Sequence, residues 1–138
     1  MIQKALVLSL ALAILANACS QAMEPLPGDV SVIVDMKEYA ITLNVPTIKA
    51  GTIKFGIRNN GTMVHDFDVY KTDLPLDKLP VDGGSAKVKM DGLVKQMINI
   101  SANRSTTTTA DLSAGRYVII CNVAGHYQLG MRAELQVN

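Results

Sequence analysis

The sequence predicts an all-β fold, a small sandwich or barrel, from three observations. Short segments rich in valine, isoleucine and threonine recur along residues 30–138, and glycine, proline and asparagine separate them. About eight such segments with regular turn signals are typical of a sandwich or small barrel. Beyond the first eighteen residues, no segment keeps the apolar period of an α-helix. Because Greek-key connections usually close such a sandwich, we expect a Greek-key β-sandwich of about seven to eight strands.

The predicted strands follow one another at short intervals. Ile53, Phe55 and Ile57 alternate with polar side chains, which is the two-residue period of a strand with one buried face. Residues 106–109 are four threonines, whose β-branched side chains favour a strand over a helix. Residues 71–95 carry prolines, paired glycines and mixed charges, so we expect a long irregular excursion there. The predicted strands are 30–35, 39–45, 52–58, 64–70, 96–100, 105–112, 117–121 and 131–137.

The chain divides into a leader, a tether and one domain. Lys4 precedes an apolar stretch, residues 5–16, that is short for a membrane span and fits the core of an export signal. Ala16-Asn17-Ala18 has the small-x-small form of a signal-peptidase site. A short segment with two prolines then leads into the first predicted strand, as a tether does. The predicted division is a signal peptide at 1–18, a tether at 19–29 and a domain at 30–138.

Cys19 is the first residue after the predicted cleavage, and two interpretations are open. Residues 15–19 resemble the lipobox of bacterial lipoproteins, with the leucine one position further upstream than usual. A lipid on Cys19 would anchor the domain to a membrane. The alternative is ordinary secretion, but a free exported thiol is prone to oxidation, which favours the lipoprotein. In both cases we expect an exported protein, periplasmic or held at the outer side of the cytoplasmic membrane.

Three side chains with metal-binding atoms lie at five-residue intervals near the end of the chain. They are the thiol of Cys121, the imidazole of His126 and the thioether of Met131. A soft thiolate and a weak thioether favour copper, and one more imidazole completes a His₂Cys set with a long axial methionine. The chain has one other histidine, so His65 is the candidate for that donor. Zinc accepts one cysteine and two histidines as well, but its structural sites need a fourth strong ligand.

Cys121 ends one predicted strand and Met131 begins the next, so the residues between them form one loop at an end of the sandwich. Gly125 and Gly130 bracket the histidine of this loop and permit backbone conformations or close approaches that a Cβ would prevent. His65 begins a predicted strand after the turn 59–62, so it also lies at a sandwich end. The spacing alone does not say whether the two ends are the same. Taken singly, a buried cysteine or methionine is more often a core residue than a ligand.

Charge and cysteine content exclude other classes of protein. Thirteen basic residues, one of them Lys4 of the leader, stand against twelve acidic ones, which leaves no electrostatic footprint for nucleic acid. The two cysteines cannot form a structural disulfide if Cys19 carries a lipid and Cys121 binds a metal. The domain must then be held by its apolar core, and a chain of this length can bury enough area for that.

The two motifs resemble those of the cupredoxins, the small blue-copper proteins of the plastocyanin and azurin group, particularly bacterial and archaeal members with a Cys-x4-His-x4-Met loop. The resemblance extends over residues 30–137 and is densest at 60–67 and 121–131. It implies a cupredoxin-like sandwich around one copper ion that alternates between Cu(I) and Cu(II). Asp66 departs from the asparagine that follows the first histidine in plastocyanin and azurin. The implied ligands are His65, Cys121 and His126 in the equatorial plane and Met131 on the axis.

The resemblance implies an electron carrier between exported or membrane-bound redox partners, not an enzyme. A filled axial position leaves no open site for substrate, and two histidines are too few for a multicopper oxidase. We expect a monomer on which a c-type cytochrome or a membrane oxidoreductase docks transiently near His126. The alternative function is copper storage, delivery or resistance outside the cytoplasm. The uncharged loop offers apolar side chains for a collar around the docking point, namely Val123, Ala124, Tyr127 and Leu129.

Overall fold

The computed structural model describes residues 22–138, and eleven strands lie within them. The predicted signal peptide, its cleavage site and Cys19 lie outside the described residues. None of the residues 22–138 belongs to a helix long and apolar enough to cross a membrane. The strands are β1 (Val32–Lys37), β2 (Ala40–Leu43), β3 (Thr47–Ile48), β4 (Gly51–Asn59), β5 (His65–Lys71), β6 (Val81–Asp82), β7 (Lys87–Val88), β8 (Leu93–Ile100), β9 (Arg104–Leu112), β10 (Gly115–Ile120) and β11 (Arg132–Val137).

Nine strands form two mixed sheets packed face to face, and β6 and β7 form a separate ribbon. The first sheet has the order β2-β1-β4-β9, and the second has the order β3-β11-β10-β5-β8. Most neighbours are antiparallel, but β1 pairs with β4 and β3 pairs with β11 in parallel. Strands distant in sequence therefore lie side by side, as in a Greek-key sandwich. This confirms the predicted fold class.

The main core lies between the two sheets. Ile53, Phe55 and Ile57 of β4 point into it, as the alternation predicts, and are at most 4% exposed. The ring of Phe55 packs against the ring of Phe67 from β5, with 5.3 Å between centroids. Burying an aromatic side chain of this size contributes about 1.5–3 kcal/mol. This core joins the sheet that contains β4 to the sheet that contains the candidate ligands.

Eight of the eleven strands correspond to predicted ones, with bounds that differ by at most three residues. The other three, β3, β6 and β7, are two residues long and were not predicted. So short a segment carries no readable periodicity. Its assignment depends on a partner elsewhere in the chain, as in the parallel pairing of β3 with β11.

The predicted excursion connects β5 to β8 and packs on the outer face of the second sheet. Its Leu79 and Val88 join Val118 and Ile120 of β10 in a second apolar cluster. Because this cluster covers the outer face, residues 65–70 of β5 are buried on both sides. The excursion is therefore a third layer over the part of the sheet that bears the candidate site.

The described part of the predicted tether, residues 22–29, lies along the outer face of the first sheet. Asp29 forms a 2.7 Å ion pair with Lys54 of β4, and the main-chain oxygen of Glu24 accepts a hydrogen bond from Ser105 of β9. Leu26 packs over Gly56, where a Cβ would lie 2.7 Å from its Cδ1 atom. Gly56 thus leaves the space in which this segment packs.

Candidate metal centre

The order of the strands brings the two candidate ligand motifs to the same end of the sandwich. His65 begins β5, Cys121 directly follows β10, and Met131 directly precedes β11. β10 lies between β5 and β11 and is antiparallel to both. The start of β5, the end of β10 and the start of β11 therefore meet at one edge of the sheet. His65 and the ligand loop therefore lie at the same end of the sandwich, which the sequence spacing alone did not determine.

Three donor atoms from the predicted ligand set face one another in the interior. His65 Nδ1 lies 3.3 Å from His126 Nδ1. Cys121 Sγ lies 3.7 Å from the first of these nitrogens and 3.4 Å from the second. All three side chains are at most 4% exposed. Among the described residues, these three side chains bring their donor atoms close enough together to share one metal ion.

The spacing of the donors fits one metal ion. An ion with bonds of about 2.0 Å to nitrogen and about 2.3 Å to sulfur separates neighbouring donors by about 3.3–3.7 Å in tetrahedral or trigonal geometry. The observed distances of 3.3, 3.4 and 3.7 Å fall in that range. Two imidazoles and one thiolate with a nearby thioether are the donor set of a blue-copper centre.

Met131, the predicted axial ligand, directly precedes β11 and is fully buried in the core cluster that also contains Cys121. Main-chain hydrogen bonds connect it to the other loop ligands. Its carbonyl accepts from the Cys121 N–H at 3.0 Å, and its N–H donates to the His126 carbonyl, also at 3.0 Å. The backbone of the loop therefore fixes the relative positions of three of the four candidate ligands.

Two glycines allow the loop to fold in this way. Gly125 and Gly130 have φ angles of 81° and 116°, in the region that residues with a Cβ rarely adopt. At Gly130 a Cβ would also lie 3.0 Å from the Tyr39 carbonyl oxygen. Both the positive φ and the close approach predicted from the sequence are confirmed.

The excursion holds the same loop from outside. The Asn122 side-chain amide accepts from the Val88 N–H at 2.7 Å and donates to the Val88 carbonyl at 3.1 Å. The hydroxyl of buried Tyr127 accepts from the Leu79 N–H and donates to the Leu76 carbonyl, each at 2.9 Å. These bonds satisfy buried polar groups that would otherwise destabilise the fold. They also fix the loop against a part of the chain that contributes no candidate ligand.

Asp66, the predicted departure from the family pattern, has two separate contacts. Its main-chain N–H donates to Cys121 Sγ at 3.2 Å, a bond that does not depend on the side chain. Its Oδ1 accepts from the Asn99 N–H at 2.9 Å, where Asn99 has a positive φ of 59°. The carboxylate thus ties β5 to the edge strand β8, while the backbone supplies the hydrogen bond to sulfur.

Two residues that the sequence analysis did not single out support His65. Buried Asn59 donates from Nδ2 to the carbonyls of Met63 and Ile100, at 2.8 and 2.9 Å, and closes the turn before His65. Glu38 Oε1 lies 3.6 Å from His65 Nε2. Main-chain N–H groups, including its own, lower the pKa of Glu38 to about 2. The Asn-Asn-Gly sequence signalled the turn, but nothing in the sequence pointed to Glu38.

Burial sets the protonation of the metal-free donors. It lowers the pKa of His65, with a further contribution from nearby His126, so the imidazole is neutral and its lone pair is available. Burial also raises the pKa of the Cys121 thiol. Because the thiolate is the form that binds metals, a bound metal replaces this proton.

A second buried carboxylate, Asp68, lies beyond the donor cluster on β5. It is fully buried, and its Oδ2 accepts from Gln96 Nε2 at 3.1 Å. Within residues 22–138, no donor forms a hydrogen bond with Oδ1. Burial raises the pKa of Asp68 to about 6, although the side chains of Gln96 and Asn122 favour the charged form. This carboxylate is therefore costly to ionise in the folded state.

The apolar surface near His126 differs from the predicted collar. His126 is 4% exposed, and the ring of Tyr39 meets it edge-on at 5.6 Å between centroids. Leu129, which is 60% exposed, and Ala124 are exposed as expected, whereas Val123 is half-buried and Tyr127 is buried. Three further exposed apolar residues lie outside the loop, in the connection before β2 and in the turn before His65. We use the term apolar collar for the exposed set Tyr39, Met63, Val64 and Leu129.

Residues 41–138, which include every candidate ligand, match the sulfocyanin (SoxE) domain family. The chain belongs to the sulfocyanin family. The predicted resemblance to cupredoxins is thereby confirmed, and this sulfocyanin domain with its donor cluster fits one copper ion. No curated protein sequence matches the chain.

Solved structures share the fold of this sulfocyanin-family chain. Dithionite-reduced auracyanin from Roseiflexus castenholzii has 21% identity and a TM-score of 0.57, covering 77% of this chain and 94% of that one. Rusticyanin from Thiobacillus ferrooxidans has 18% identity and a TM-score of 0.58, covering 78% and 75%. Auracyanin A, a "blue" copper protein from Chloroflexus aurantiacus, has 22% identity and a TM-score of 0.51, covering 77% and 99%. At these identities the likeness is one of fold.

Proposed function

We propose that this sulfocyanin-family protein is a mononuclear blue-copper electron carrier that works outside the cytoplasm. The main support for this proposal is that Nδ1 of His65, Nδ1 of His126 and Sγ of Cys121 lie within 3.7 Å of one another in the interior. Cupredoxins transfer electrons between redox partners, and the structures similar to this chain include a blue copper protein. The proposed copper ligands are His65, Cys121, His126 and Met131.

The surroundings of the donors suit repeated electron transfer. When bound, copper supplies the one-electron change between Cu(II) and Cu(I). The protein keeps the donors in place through the main-chain bonds of the loop and through Asn122 and Tyr127. Their burial excludes water, and a fourth ligand at Met131 would leave no open position for a substrate. We therefore propose a carrier and not an enzyme.

The apolar collar is the proposed docking surface for redox partners. It is exposed and formally uncharged, and its Tyr39 packs directly on the His126 ring. Small, apolar and transient contacts are usual for redox complexes. A c-type cytochrome or a membrane oxidoreductase seated here would receive the electron through His126 and the Tyr39 edge.

The copper centre is tested by loading the purified domain with Cu(II). We expect an intense visible thiolate-to-copper band that bleaches with ascorbate and returns on oxidation. Cys121→Ser should be colourless, because the thiolate that produces the band is gone. Met63→Leu is the matched control, since Met63 is an exposed thioether next to the site and should leave the band unchanged. A colourless wild-type protein, or colour that survives Cys121→Ser, would contradict the proposal.

An electron carrier transfers an electron and keeps its copper, whereas a storage or delivery protein transfers the copper ion itself. We expect stopped-flow mixing with an oxidised c-type cytochrome to transfer the electron reversibly while copper stays bound. Leu129→Asp should slow that reaction by placing a charge in the apolar collar. Transfer of the copper ion itself to an acceptor, without electron exchange, would support the alternative role.

The export proposal concerns residues 1–29. We propose that residues 1–18 are cleaved as a signal peptide and that Cys19 then carries a lipid. In a bacterial host the full chain should appear in the membrane fraction, and Cys19→Ser should move it to the periplasm. A wild-type protein that is already soluble in the periplasm would contradict the lipid while leaving the export signal supported.

A further inference from the structure

His65 has one ring nitrogen directed toward the candidate ligands and another without a partner. Its Nδ1 lies 3.3 Å from His126 Nδ1 and 3.7 Å from Cys121 Sγ. Its Nε2 is buried and forms no hydrogen bond with any group in residues 22–138. A histidine that binds a metal through one nitrogen usually donates its other N–H to a carboxylate, a carbonyl or water. The buried Nε2 therefore requires an explanation.

Glu38 lies next to this nitrogen. Its Oε1 is 3.6 Å from His65 Nε2, and its side chain is 23% exposed. The residue belongs to the connection between β1 and β2, in the sheet opposite that of His65. The carboxylate thus reaches across the end of the sandwich to the ligand, at a distance slightly longer than a hydrogen bond.

The turn before His65 is shaped around the same carboxylate. Glu38 Oε1 accepts from the N–H groups of Thr62 and Met63, each at 2.7 Å. A Cβ on Gly61 would lie 2.5 Å from that oxygen, so only glycine leaves room for the carboxylate. Two fixed main-chain donors and one steric gap hold Glu38 in place without any metal.

We propose that Glu38 is a positioning residue for the copper site, an inference that rests on the proposed function. With Oε1 at 3.6 Å, the carboxylate attracts the proton on His65 Nε2 electrostatically and so favours the tautomer whose Nδ1 lone pair is free for copper. Its negative charge also stabilises Cu(II) more than Cu(I), because the oxidised ion carries the larger charge. Glu38 thereby holds the reduction potential below the value that the four ligands alone would give.

The metal-free protein provides the first test. We expect ¹⁵N NMR of its histidine side chains to show His65 mainly as the Nε2–H tautomer, with this preference reduced in Glu38→Ala. The copper-loaded protein provides the second, through its midpoint potential in Glu38→Gln. Loss of such a partner weakens metal binding by about 10–100-fold. If Glu38→Gln weakens the binding of Cu(II) by this factor and leaves the binding of Cu(I) unchanged, the midpoint potential rises by about 60–120 mV.

Glu134→Gln is the matched control, because it removes a carboxylate that lies on the exposed surface and pairs with Arg116. Its potential should equal that of the wild type. If Glu38 only holds the turn, Glu38→Gln will alter stability and leave both the tautomer and the potential unchanged, and the proposal fails. If Glu38→Ala does not fold, the potential of Glu38→Gln alone decides. A wild-type protein without the visible band would instead refute the copper centre itself, so the two failures are distinguishable.

Discussion

Replacing Asp68 with asparagine should stabilise the protein at pH 8 and have a much smaller effect near pH 4. Asp68 is fully buried, and burial raises its pKa to about 6 from the ordinary value of 3.8. The folded protein therefore binds a proton more tightly at this site than the unfolded chain does. Stability falls as pH rises through the interval between those two values, and above it the penalty is constant. Asparagine has a similar shape and no charge to bury.

The magnitude follows from the difference between the two pKa values, 3.8 and about 6. Each unit corresponds to about 1.4 kcal/mol, so ionised Asp68 destabilises the fold by about 3 kcal/mol at pH 8. Asparagine brings its own cost of burying an amide, but that cost does not depend on pH. The quantity to measure is therefore the free energy of unfolding of Asp68→Asn minus that of the wild type at each pH. This difference should increase by about 2–3 kcal/mol from pH 4 to pH 8.

The assay is urea denaturation of the metal-free proteins, followed by far-ultraviolet circular dichroism at pH values from 4 to 8. Asp77→Asn is the control, since that carboxylate is exposed and its replacement should give a nearly constant difference. Metal-free protein is used because copper binding has its own dependence on pH. The reasoning is refuted if the Asp68→Asn difference is flat across this range, or if it decreases as pH rises.

Two further substitutions test how the site and the N-terminal segment are held. Tyr127→Phe removes the hydroxyl that accepts a hydrogen bond from the Leu79 N–H. We expect the free energy of unfolding to fall by about 1–3 kcal/mol and the Leu79 amide to exchange faster with solvent. An unchanged exchange rate at Leu79 would contradict this role of Tyr127. Gly56→Val places a side chain where Leu26 packs. We therefore expect protease cleavage within residues 22–29 and an unchanged copper band. Resistance to cleavage equal to that of the wild type would show that the segment is held by other contacts.

The sequence predicts the strands of the sandwich because their apolar side chains keep a regular period. Ile53, Phe55 and Ile57 identify β4 in this way, and the same signal places the ligand loop between two strands. In β5 the alternation of residue types does not predict which side chains are exposed. The alternate residues Asp66 and Asp68 suggest a solvent-exposed face, yet both are buried, and Leu79 and Val88 of the excursion pack in one cluster with Tyr70, the next residue on that face. The excursion has no period that would reveal this contact.

The candidate ligands could be predicted because copper requires a specific set of side chains and the chain contains only two histidines. The residues that support them could not. Glu38 precedes His65 by a turn and three strands, and the contact between them arises from the packing of opposite sheets. Tyr39 likewise reaches His126 from the first sheet. Contacts of this kind depend on tertiary structure, and no local spacing encodes them.

The hydrogen bonds between the excursion and the ligand loop limit what can be transplanted between proteins. Asn122 and Val88 exchange two bonds, and the N–H of Gly125 donates to the Ala86 carbonyl at 2.9 Å. A chimaera that receives residues 121–131 alone would acquire the ligands without the chain segment that fixes their backbone. For loop grafting, the smallest transferable unit is therefore the loop together with residues 76–88, two segments that are distant in sequence and inseparable in the fold.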